Sequence, residues 1–300
     1  QGYTCSPTTM AANTTAVTVS YSEGGVTKTT TTPVTVTSIS NTLASNSWAT
    51  IRAVSDAGKG SNYWSVGDAK GITINGKVGA TTFSNLAISV FILGFNHNAS
   101  REGSNRIHFQ IGKINGTLVG LVDGNYSNYT STTGAFTMNT SNTNSGGWNN
   151  SHMRKTVLGS NSASATSPTA NTLLAALPAD LRAVMKPATK YSDNTGGGSD
   201  AASYVTSTTD LLPLLSEFEY HGARSYANSA EKNYQAQYDY YRAGNSKVHY
   251  RHNATGTAAY AWCRSVFSSN SYYFCRVHTG GSAVYYGASY SWALAPCFFV

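Results

Sequence analysis

The residues best suited to do chemistry crowd into the last fifty positions, Arg251 to Val300, and the chemistry they suit is recognition. Tyrosine comes in pairs there, Tyr272-Tyr273 and Tyr285-Tyr286, with Tyr290 close behind. From Val248 to the end there is no Lys, Glu, Gln, Asp or Met, while Tyr, Ser, Gly, Ala, Asn, Arg and His abound. Tyr, Ser, Gly and Asn form the adaptable alphabet of binding surfaces: Tyr brings a large rigid contact area with a polar tip and few torsions to fix. Arg276 and His278 add charge and the capacity for cation–π contact.

Other residue types that could carry chemistry are less well placed. His97, within Asn96-His97-Asn98, and His152 would need a nucleophile or a carboxylate positioned by the fold. The sequence offers no nucleophile elbow, so both read as isolated polar histidines on loops. The four cysteines, Cys5, Cys263, Cys275 and Cys297, show no CxxC and no Cys/His zinc spacing; whether Cys263 and Cys275 form a disulfide is left open. Asp193, Asp200 and Asp210 lack the spacing of a calcium loop. No catalytic residue, metal or cofactor is expected. Trp148 and Trp262 read as framework, since a tryptophan buries a large area and asks for one hydrogen-bond partner. Arg154 and Arg264 are expected to pair internally with Glu217, Glu219 or Asp239.

The elements that must hold these residues are mostly β. The chain has 300 residues, with 40% hydrophobic and 12% aromatic side chains, which makes it globular rather than disordered. Its net charge of +7 comes from scattered Lys and Arg over few acids. A nucleic-acid partner would want a clustered basic stripe, so none is expected, whereas a mild attraction to acidic polymers is. No apolar run reaches the ~18 residues of a membrane span, so no membrane insertion is expected. The opening at Gln1, without a signal peptide, is expected to be the edge of a longer protein.

Residues 1–39 should form a separate unit: Val17–Tyr21 and Lys28–Val36 alternate as strands around a Glu23-Gly24-Gly25 turn. In residues 40–300, Ser47 should cap a short helix burying Trp48, Ile51 and Val54 or Ser55, with Gly58 ending it. Trp64–Asp68 and Gly71–Ile74 read as strand pieces with Asn75-Gly76 as a tight turn. Leu86–Phe95 reads as a buried central strand and Ile107–Ile111 as its neighbour. Residues 123–147 should be a long polar loop. Helices are expected over Thr172–Leu177 and from Pro178 to Lys186, a flexible loop over Asn194–Ser199, and a terminal strand over Ala295–Val300 that closes the fold.

Two resemblances follow. Val19–Thr29 resembles the last strands of bacterial immunoglobulin-like repeats, which implies that residues 1–39 are the C-terminal part of a β-sandwich. The C-terminal residue set also matches the products of NNY codons, which arise when the adenines of AAY are randomised; of the residues that such codons exclude, only Trp occurs there, at Trp262 and Trp292. The ordered pieces Gly146-Gly147-Trp148, Ser151, Met153-Arg154, Leu177-Pro178, Leu215-Ser216-Glu217, Gly222, Gln237-Tyr238, Tyr240-Tyr241, Trp262, Arg264-Ser265, Phe274-Cys275, Val277, Ala295-Pro296 and Phe298 resemble phage and prophage variable proteins of diversity-generating retroelements, over roughly residues 46–300. Their order along the chain carries the likeness. The chain departs from the pattern at Ala261, where a second aromatic is usual, and at Cys263, where an apolar residue is.

That resemblance implies an α+β fold: a C-type lectin-like ligand-binding domain over 40–300, with a variable region at about 260–293. It implies a virion receptor-binding or adhesin protein, on a tail tip or head fibre or on the cell surface of a prophage host, that binds a host cell-surface protein or glycan. Other virion proteins would be partners, and a homotrimer would raise avidity. The ligand-binding residues it points to are Tyr272, Tyr273, Arg276, His278, Val284, Tyr285, Tyr286 and Tyr290. A structural head fibre or decoration protein is the alternative. The fold is shared by formylglycine-generating oxidases, for which Cys263 and Cys275 would have to be a working pair.

Overall fold

The computed structural model describes residues 2–10, 14–34, 36 and 38–300, and the chain divides into two compact units, Gln1–Asn41 and Thr42–Val300. In the smaller unit, strands β1 (Tyr3–Ser6), β2 (Ala16–Glu23) and β3 (Val26–Pro33) form one antiparallel sheet in sequence order. Glu23 pairs with Val26, so the turn between β2 and β3 is Gly24-Gly25 alone, with φ of 56° and 82°. Two successive positive φ angles match the right-handed twist of the flanking strands, and glycine adopts them without strain. The second strand was expected to run to Val36. It stops at Pro33, which has no N–H to give a ladder; Thr35 lies outside the described residues.

The larger unit is mixed α+β, built mostly of sheet with short helices between. Helix α1 (Trp48–Asp56) begins where Ser47 accepts a hydrogen bond from the Thr50 N–H, and it buries Trp48, Ile51, Val54 and Ser55. The main sheet contains β4 (Ala69–Val78), β5 (Thr81–Phe95), β6 (Ile107–Ile114), β7 (Thr117–Gly120), β10 (His249–Arg251) and β11 (Ala254–Ala259), in the order β11-β10-β7-β6-β5-β4. The apolar run in β5 fills the centre: Val90, Phe91, Ile92 and Leu93 are fully buried. Strand β15 (Cys297–Phe299) pairs antiparallel with the first half of β6, and β7 pairs with its last two residues.

Two local readings are corrected. Trp64–Asp68 is a turn, closed by the Asp68 carboxylate accepting from the Ser65 N–H. Asn75-Gly76 is a bulge within β4, where the register shifts between Ile74 and Gly76; Asn75 Oδ1 accepts from the Asn85 N–H across the gap. The helices after Thr172 are single turns, Leu173–Ala176 and Ala179–Arg182, the second followed shortly by Pro187.

Two smaller sheets complete the unit. The strands β8 (Ala188–Asp193) and β9 (Val205–Asp210) pair as one, and β12 (Ala261–Val266), β13 (Tyr273–Val277) and β14 (Ala283–Gly287) as the other, in sequence order. A buried charge network joins β8 to β12. Lys190 on β8 donates to Glu102, to Glu219 at 2.9 Å and to the Tyr238 hydroxyl at 3.1 Å. Arg264 on β12 donates to both oxygens of Glu219, to the Leu214 carbonyl and to Ser192 Oγ. All four charged residues are buried. Burial disfavours the Glu219 carboxylate, but Arg264 and Lys190 outweigh it and hold its pKa well below the usual range. Burial likewise disfavours the Lys190 ammonium, and Glu102 and Glu219 reverse this and hold its pKa above normal.

Removing one member of such a group leaves its partners buried and unpaired, at a cost of roughly 3–5 kcal/mol. Glu219→Gln is therefore expected to lower unfolding free energy by about that amount in urea titration. A loss below about 1 kcal/mol would show that the two cations do not depend on Glu219.

Candidate ligand-binding face

Of the eight residues singled out from the sequence, five lie in strands β13 and β14, where alternation divides them between the two faces of the sheet, and Tyr272, His278 and Tyr290 lie just outside the strands. Arg276 pairs with Val284 and Phe274 with Tyr286, so Arg276, Val284 and Tyr286 share one face. Tyr273 and Tyr285 belong to the other. There Tyr285 stacks on Phe267 at 4.2 Å and on Tyr273 at 5.3 Å, and meets Tyr226 edge-on at 4.9 Å. On the first face Tyr286 meets Tyr290 edge-on at 4.7 Å and Trp292 at 5.4 Å. His278 meets Tyr260 edge-on at 5.0 Å, and its Nδ1 accepts from the Gly280 N–H.

Exposure is uneven. Tyr272, Tyr273, Arg276, His278, Tyr285, Tyr286 and Tyr290 were expected to be largely exposed on one surface. Tyr272 and Tyr286 are, at 51% and 39%; Tyr273, His278, Val284, Tyr285 and Tyr290 are half-buried, and Arg276 is buried at 5%. Rings take up the difference, because each tyrosine in this cluster covers part of its neighbour. The Arg276 guanidinium lies 3.7 Å from the ring centre of Tyr260, 4.1 Å from that of Trp292 and 4.3 Å from that of Tyr286.

Strand β14 is the outer strand of its sheet, so side chains of both faces reach one pocket at its end. This pocket holds about 310 Å³ and is lined by Asn142, Tyr273, Tyr285, Tyr286, Gly287 and Tyr290. A Cβ on Gly287 would sit 2.6 Å from Asn142 Oδ1, so glycine keeps this wall open. Asn142, Tyr226 and Tyr260 were not among the residues singled out, and nothing local marks them: Asn142 is one of many asparagines in a polar stretch, brought to the pocket by the fold.

That polar stretch is stitched to the C-terminal segment by backbone bonds. The Thr130 N–H donates to the Ser289 carbonyl, Ser127 to Ser291 and Asn139 to Ala288. Asp123 accepts from Ser291 Oγ and from the Phe136 N–H. Asn144 holds the turn before β13, since its side-chain amide donates to the Asn270 and Tyr273 carbonyls and its N–H to the Ser271 carbonyl. The framework beneath is closed: Trp262, Phe274, Val277 and Phe298 are fully buried. Trp148 donates to Asp210 and Trp262 to the Phe136 carbonyl. Arg264 pairs with Glu219, one of its expected partners, but Arg154 pairs with Asp210, at 2.7 Å.

Most of the groups weighed for other chemistry are buried, though Cys5 and Asp200 are exposed. All four cysteines are free thiols, and burial pushes Cys263 and Cys275 well above the ordinary thiol range, which leaves little thiolate. His97 is not on an open loop. It is buried and stacked on Tyr238 at 3.8 Å, and burial, with Lys190 next, pushes it down to about 3. His152 is half-buried and accepts from the Gly134 N–H through Nε2. One ligand atom each from His97, Glu102 and Glu219 lie within 4.8 Å of one another, a spacing that could hold a metal ion. The Lys190 ammonium already bonds both carboxylates, so a cation entering there would meet a fixed positive charge.

No family model matches the chain, and no curated protein or solved structure is significantly similar to it. Because Lys190 and Arg264 together balance the two carboxylates, millimolar Zn²⁺ is expected to leave the melting temperature unchanged, and NMR is expected to show His97 neutral down to pH 5. A melting temperature raised by several degrees, and lost again in Glu102→Gln, would show instead that the cluster takes a metal ion.

Proposed function

We propose that this chain is a non-catalytic ligand-binding protein, a phage or prophage receptor-binding module whose β13–β14 edge contacts a host-surface ligand. One observation carries the reading: the aromatic edge is open in front, with Tyr272 and Tyr286 exposed beside a pocket walled by tyrosines, while the backbone behind it is pinned. Rigid support with tolerant side chains in front is what a recognition surface needs. In this reading the larger unit is a C-type lectin-like domain, the smaller the end of an immunoglobulin-like repeat, and the whole a virion homotrimer.

The diversification proposal makes a claim about DNA. A near-copy of the gene's 3′ end should carry AAY codons at the positions of Tyr272, Tyr273, Arg276, His278, Val284, Tyr285, Tyr286 and Tyr290, with a reverse-transcriptase gene close by. Trp262, Phe274, Val277, Pro296 and Phe298 should be identical in both copies, because altering a packed side chain leaves a cavity. Flanking DNA with no such repeat ends the diversification claim and leaves the binding reading to the protein assay. There, the double variant Tyr272→Ala, Tyr286→Ala is expected to bind host cells at least tenfold more weakly than the native chain. Its melting temperature should stay within about 2 °C, because both side chains are surface positions. Equal binding by the two proteins would overturn the proposal.

A further inference from the structure

Among the described residues, Arg276 is a buried cation with no acid beside it. Its Nε and Nη1 are sealed from solvent and have no hydrogen-bond partner among the described residues. Three aromatic rings surround the guanidinium, and the other ionisable groups that bear on it are Tyr260, Tyr286 and Tyr126, not a carboxylate. No Asp or Glu follows Asp239 in the sequence. Burial lowers its pKa to about 10, so the group stays charged at neutral pH. Cation–π contact offsets part of the desolvation, but it leaves N–H donors unmet, and buried donors without acceptors cost stability. A ligand oxyanion would meet that need, and a carboxylate matches the planar fork of a guanidinium.

A second unmet group is linked to the first through Tyr286. Asn142 Oδ1 is a sealed acceptor without a partner among the described residues, and Asn142 lines the pocket next to Tyr286. Tyr286 therefore belongs both to the pocket and to the ring set around Arg276. An acceptor calls for a hydroxyl or N–H, the guanidinium calls for an acid, and tyrosine rings offer flat faces to the C–H side of a sugar. The pocket volume of about 310 Å³ lies at the lower end of small-ligand sites, roughly 300–1,000 Å³.

We propose that this face takes an acidic sugar, with its carboxylate on Arg276, a hydroxyl on Asn142 Oδ1 and its ring against Tyr286. The proposal rests on the reading of β13–β14 as a binding face. Tyr286 is the exposed ring of the three, so it is the one that can move aside to admit the carboxylate.

The test is an NMR titration of the full chain with galacturonic acid, its methyl ester, galactose and acetate. The acid is expected to perturb Tyr286 and the Arg276 side chain, with the ester and galactose at least tenfold weaker and acetate weaker still. Arg276→Met should abolish the preference for acid over ester while leaving the melting temperature unchanged or higher, since it removes an unpaired buried charge. Asn142→Ala should weaken acid and ester alike. Equal binding of acid and ester, or no binding of either, overturns the proposal. Acetate as strong as galacturonate also overturns it, and points to acidic peptide side chains instead. The comparison of acid with ester needs only the native chain, so it stands even if Arg276→Met fails to fold. Host-cell binding separates this proposal from the one beneath it: cells bound through Tyr272 and Tyr286, but equally well by Arg276→Met, sink the acidic-sugar proposal alone.

Discussion

Four charges, those of Glu102, Lys190, Glu219 and Arg264, are sealed from water in the larger unit, and the fold must assemble all of them together. Each alone would carry a desolvation penalty of several kcal/mol, and attraction inside the protein repays it only with full hydrogen bonding. The geometry supplies that bonding. Glu219 accepts from Arg264, Lys190 and the Ser216 N–H, and the Ser216 side chain in turn caps the same helix, Glu217–His221. Because the partners lie 88 and 45 residues apart along the chain, the network fixes β8, β12 and that helix relative to one another.

The consequence reaches the aromatic edge. Arg264 sits in β12, β13 pairs with β12, and β14 pairs with β13. Both faces of these strands are partly closed off, by Trp262 and Phe274 on the face of Arg276 and by Val277 on the other. From the other side, residues 123–144 clamp the segments 270–273 and 288–291 through backbone groups and the carboxamide of Asn144. Side-chain identity at Tyr272 or Tyr286 has little influence on any of these bonds. Such a surface can change its residues without changing its backbone, which is the physical requirement for varied recognition on a single scaffold.

How much of this could be read from the sequence depended on the range of the interaction. Ser47 as a cap, Leu86–Phe95 as a central strand and the terminal strand were legible, because each announces itself within a few residues. Asn75-Gly76 was misread because a bulge and a hairpin turn share the same residues, and only pairing across the sheet separates them. The tyrosines of the candidate face were legible as a composition, and so was the pairing of Arg264 with Glu219. The partner of Arg154 was not, since Asp210 is one of several acids at similar distance along the chain. Asn142 was invisible for the same reason. Arg276 was placed on the surface as part of the tyrosine-rich recognition face, and the three rings that cover it come from separate strands and loops.

The contrast between Arg264 and Arg276 separates what the chain needs for folding from what it carries for another purpose. Both are arginines in the sheet β12-β13-β14 and both are buried. Arg264 reaches a carboxylate, a carbonyl and a hydroxyl, and although burial lowers its pKa, Glu219, with Glu231 behind it, raises it above normal. Arg276 reaches only rings. A fold that answers one buried guanidinium so completely is not short of means to answer another, and a methionine or leucine among three aromatic rings would pack there without an unmet donor. Unsatisfied groups of this kind are ordinarily selected against in a protein interior, and where they persist they tend to mark sites whose partner comes from outside. Arg276 lies against the ring of Tyr286, which also lines the tyrosine-walled pocket, and under the acidic-sugar proposal the missing acceptor belongs to the ligand.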